Sequence, residues 1–156
     1  MSCDVAAAGV IWLAALTGGA PAPTTGAVLE APLVRISAAN PLAAEPLYAD
    51  IIARAGRLKT AAERLRRGGA APGEAFAADI DALAALDLKA HLDLAARGTD
   101  GDLKCILKGI SQDLPRKFAE VAHAPGLDAR GAALDELVFL LRDNVEVLTA
   151  PPAPPA

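Results

Sequence analysis

Aromatic residues make up only 3% of this 156-residue chain, with three Phe, one Tyr and one Trp. A core with so few rings must be filled by Leu, Ile, Val and Ala, whose thin side chains let helices approach closely. Two cysteines, Cys3 and Cys105, exclude the disulfide framework that staples small secreted domains, and they lack the paired spacing of a structural zinc site. Two histidines, His91 and His123, leave little scope for a Ser-His-Asp constellation, and Ser37 and Ser111 stand outside any nucleophile-elbow context. No glycine-rich loop is built to cradle phosphate. Paired carboxylates such as Asp79 and Asp81 are two apart and diverge on a helix. An excess of positive charge is missing too. With a formal charge of -4 and a pI near 5.1, the chain lacks the field a nucleic-acid binder needs to displace counterions from phosphates. Neither catalysis nor a bound cofactor nor nucleic acid is expected.

What is present is apolar: 53% hydrophobic residues against 22% charged, enough for one domain with its own core. Val5 to Leu16 reads VAAAGVIWLAAL, too short to span a bilayer but of the length of a signal-peptide core, and TGGAPAP follows it. Residues 1–23 are therefore expected to be an export signal, placing the protein in the bacterial periplasm. The missing Lys or Arg before the run is the feature against it. The competing reading is a buried N-terminal helix of a cytoplasmic protein. Residues 24–45 have no helical period and contain Pro32, which predicts an extended arm.

Residues 46–149 carry apolar stripes at helical spacing. The first helix is expected from about Pro46 to Arg67 on a seam of Leu47, Ile51, Ala55, Leu58, Ala62 and Leu65, stopped by Gly68 and Gly69. The second runs from about Glu74 to Arg97. If continuous it places Asp87 and His91 inside its apolar face, so a break is expected near Leu86 to Asp87, with Asp87 capping a new segment along Leu88, Leu92 and Ala95. The third begins after Asp102, carries Leu103, Leu107, Ile110 and Leu114, and is expected to kink or restart at Pro115. The last, capped by Asp128, displays Leu134, Leu137, Val138, Leu141, Val145 and Leu148 on one face. Residues 150–156 form a Pro-rich tail. The fold class this predicts is all-α: an antiparallel four-helix-bundle-like domain with kinked or broken second and third helices.

Four features stand out as candidate sites. Arg54, Arg57, Arg64 and Arg67 lie on the outer side of the first helix, a basic stripe suited to an acidic partner or an anionic membrane surface, although a solvated face is the plainer explanation. Phe139 lies on the back of the last helix, where a large ring can anchor an interface. Cys105 falls off the main apolar face of its helix, as a candidate reactive thiol or a small buried hydrophobe. Asp87 and His91, four apart, offer at most half of a metal site. The expected function is an exported helical protein-interaction module, for instance a regulator of a membrane-anchored sensor kinase or an envelope enzyme. The alternative is a bundle that holds a metal or a small apolar ligand.

Overall fold

The computed structural model describes residues 40–98 and 101–150. The expected signal (1–23), most of the arm (24–45) and nearly all of the tail (150–156) lie outside them. The described end of the arm is not extended. Pro41–Ala44 forms a 3-10 turn, capped by Asn40, whose side chain accepts a hydrogen bond from the Leu42 amide.

Four helices follow: α1 (Pro46–Gly68), α2 (Glu74–Ala96), α3 (Leu103–Ala122) and α4 (Leu127–Thr149). Pro46 opens α1, where a missing amide donor costs nothing. Gly69 closes it in the left-handed region (φ 65°), a conformation other residues adopt only with strain. Each helix packs on its chain neighbours and α4 returns to α1, so α1 and α3 lie diagonally opposite, as do α2 and α4. The contacts at the helix ends make the neighbours antiparallel. Tyr48 at the start of α1 reaches Asp93 at the end of α2, His91 meets Lys104 at the start of α3, and Arg66 at the end of α1 meets Asp135 near the start of α4.

The buried positions alternate in steps of three and four: Tyr48, Ile51, Ala55, Leu58 and Ala62 on α1; Ile80, Leu83, Asp87, Ala90 and Leu94 on α2; Leu134, Leu137, Leu141, Asn144 and Leu148 on α4. On α3 the seam is Leu107, Ile110, Leu114 and Val121. This 3.5-residue repeat is the spacing of knobs-into-holes packing, which suits helices inclined by a small angle.

Three expectations about the helices are corrected. α2 runs unbroken through Asp87, which caps nothing: it is fully buried, and Leu88 and Leu92 point outward instead of forming a new seam. The break was expected because a carboxylate on an apolar face has no partner on its own helix. The partner comes from α4. α3 does not restart at Pro115, which lies within the helix on its exposed side, where the carbonyl it leaves unbonded can reach water. α4 is entered from Gly126, two residues earlier than expected, so Asp128 sits in the first turn and favours the positive end of the helix dipole.

Candidate interaction surface

α1 carries six basic and two acidic side chains. Its core seam consumes none of them, so the charges spread over its two flanks and outer side. Arg54 is tied to Asp50 one turn back (2.9 Å), Lys59 to Glu63 (3.1 Å), and Arg66 crosses to Asp135 on α4 (3.0 Å). Arg57, Arg64 and Arg67 are exposed and make no ion pair among the described residues. The basic stripe read from the sequence is thus present, and its unpaired members are Arg57, Arg64 and Arg67.

Three of these arginines line a groove along the α1/α2 seam. Arg54, Arg57 and Arg64 surround a hollow of about 230 Å3 floored by Leu58, Ala61 and Phe76, with Asp79 as the one acid on its wall. Arg54 also borders a second, shallower hollow of about 390 Å3 lined by Ala82, Ala85, Leu86 and Lys89. The two share Arg54 and make a furrow of mixed lining, in which apolar side chains alternate with charged ones. Phe76 holds the floor in place by packing against Phe118 on α3, ring centroids 5.9 Å apart. The sequence pointed to the α1 arginines. It gave no pointer to Phe76 and Lys89, because their place beside the stripe depends on the register of α2 against α1.

Phe139 is 53% exposed, as its helical phase predicts, and Arg142 lies over its ring at 4.6 Å. None of the residues that line the two α1/α2 hollows belongs to α4. Cys105 is half-buried, off the seam of Leu107, Ile110 and Leu114. Asp87 and His91 do not converge. The ring of His91 contacts the Lys104 carbonyl through Nδ1 at 2.6 Å, while Asp87 faces the core, and His123 bonds the Ala119 carbonyl at the end of α3. Among the described residues no group of three or more His, Cys, Asp or Glu side chains is placed to hold a metal ion.

Two polar arrangements were not foreseen. At one end of the bundle the Tyr48 hydroxyl donates to Asp93 (2.7 Å), and Arg97 bridges Asp93 and Glu45 while lying 5.9 Å from the Tyr48 ring. The hydrogen bond from Arg97 holds Glu45 below the usual carboxylate range, that from Tyr48 does the same for Asp93, and burial raises the Tyr48 phenol. In the core, the Asn144 amide donates to Asp87 Oδ2 at 2.8 Å, with both side chains fully buried. The signal for the second was Asn144 standing three after Leu141 and four before Leu148, a polar residue on the heptad seam.

No protein-family model matches the chain, and neither a curated protein nor a solved structure is significantly similar to it.

Proposed function

We propose that the bundle is a protein-interaction module that docks an acidic, amphipathic segment of another protein in the α1/α2 furrow. The observation that carries this reading is the state of Arg57 and Arg64. Both flank an apolar floor and lack acidic partners among the described residues, whereas Arg54, Arg66, Arg97, Arg116 and Arg142 all have them. Unpaired guanidinium groups beside Leu58, Ala61 and Phe76 suit a ligand that brings carboxylates and apolar side chains together. Such charges mainly speed encounter and fix orientation, and the apolar floor supplies the area to bury.

The export-like residues 1–23 support a periplasmic setting, in which the segment belongs to a membrane-anchored sensor or an envelope enzyme. The docking itself does not depend on compartment. No described helix is long and apolar enough to cross a membrane.

Reversing two charges tests the reading. In Arg57→Glu/Arg64→Glu the fold should be retained, since both side chains are exposed and their loss opens no cavity. Affinity for the partner recovered with the wild-type chain should fall by roughly tenfold or more at low salt. Wild-type binding should itself weaken as salt rises, because charges are screened over roughly 10 Å at 0.1 M ionic strength. Unchanged affinity in the double variant, or binding to anionic vesicles in place of a protein, would overturn the proposal.

A further inference from the structure

We propose that Asp87 and Asn144 form a proton-operated lock across the core of the bundle. The proton on Asp87 Oδ1 donates to Asn144 Oδ1, closing a ring of two hydrogen bonds that ties α2 to α4. Its loss leaves a carboxylate oxygen and an amide oxygen buried without donors.

The geometry leads to this reading. One bond of the ring is in place, the 2.8 Å contact from Asn144 Nδ2 to Asp87 Oδ2. The two oxygens left over, Asp87 Oδ1 and Asn144 Oδ1, are both buried and have no partner. Each is an acceptor when Asp87 is ionised, so neither can satisfy the other. A single proton turns one of them into a donor and satisfies both. An acid and an amide have the complementary donor and acceptor pattern for such a ring. The pair also joins diagonal helices that otherwise make no close approach, so it acts on the centre of the bundle and not on one seam.

The surroundings favour the protonated form. Burial pushes the Asp87 carboxyl up to about 7, against a smaller downward pull from the Asn144 hydrogen bond. Carrying the Tyr48–Asp93 and His91–Lys104 contacts along their antiparallel helices brings Arg54 on α1 and Lys108 on α3 level with Asp87. Arg54 is engaged by Asp50, and Lys108 is exposed. On α4, Asp143 lies beside Arg142 at 3.8 Å; on α2, Lys89 is exposed and His91 bonds the Lys104 carbonyl. None of these groups is a cause of the shift.

The sign of the linkage follows. The unfolded carboxyl titrates near its ordinary value of 3.8, and the folded one about three units higher, near 7. Between those values the folded state holds a proton the unfolded state has lost, so stability falls as pH rises through the window. Glu45 and Asp93 act oppositely: their pKa values are lowered, and their contribution is lost only as pH falls below the usual carboxylate range. The two effects occupy different pH ranges.

The test is a carboxyl-carbon NMR titration of the full chain, with equilibrium unfolding from pH 5 to 8 for wild type and Asp87→Asn. The lock predicts that Asp87 titrates near 7. Between pH 5 and 7 the wild-type unfolding constant should rise by up to about tenfold per pH unit, and the variant should be flat there. An Asp87 carboxyl that titrates at or below its ordinary value overturns the proposal, as does an identical pH profile in the two proteins. Should Asp87→Asn fail to fold, the wild-type titration decides alone.

Discussion

Leu141→Ala will destabilise the bundle by about 2–5 kcal/mol, the range for truncating a buried leucine whose site cannot collapse. Leu141 is fully buried on the α4 seam, between Leu137 one turn back and Asn144 one turn on. The core it belongs to is built mostly of Leu, Ile, Val and Ala held on four long helices, and close-packed interiors of this kind relax only in part around a lost side chain. Denaturant unfolding should show a lower midpoint with an unchanged slope. A loss below about 0.5 kcal/mol would place Leu141 among ordinary surface positions and break the heptad assignment of α4.

The second large effect is expected at the buried pair. At pH 8, above the Asp87 titration near 7, Asn144→Leu removes the only donor to this buried carboxylate among the described residues and should cost about 1–3 kcal/mol. Asp87→Leu leaves the Asn144 amide without its acceptor and is also destabilising. The double replacement removes both polar groups at once. Exchanging a buried polar pair for apolar residues of similar shape is often neutral or stabilising, so Asp87→Leu/Asn144→Leu should be more stable than either single variant. The coupling from the four proteins should be about 1–3 kcal/mol. Additivity of the two single effects would mean that the 2.8 Å contact carries no energy.

How much of this was legible in the sequence depends on whether one helix or two decided the matter. The α1 seam could be followed from Ile51 to Ala62 because periodicity along a single helix marks its buried face, and Leu58, Leu83, Leu107, Ile110 and Leu141 are buried as that pattern requires. Leu65 and Val145 fall at the margin of their stripes and are only half-buried. Tyr48 was passed over in favour of Leu47, yet a residue three before Ile51 continues the repeat, and the hydroxyl finds Asp93 on the next helix. Asp87 was misread for the same reason. Taken alone, a carboxylate on an apolar face argues for a helix end, and only Asn144, 57 positions later, removes the argument. Likewise the arginine stripe could be read from α1, whereas the furrow it borders exists only between α1 and α2.

Photocrosslinking in the cells of origin tests docking in that furrow most directly. A photoreactive residue at Ala61, on the groove floor, should capture one protein partner, and the same residue at Ala119, exposed on α3, should not. Introducing Arg57→Glu/Arg64→Glu should abolish the Ala61 adduct while leaving the helical content of the chain unchanged. Equal capture from Ala119, or an Ala61 adduct that survives the charge reversal, would contradict the account.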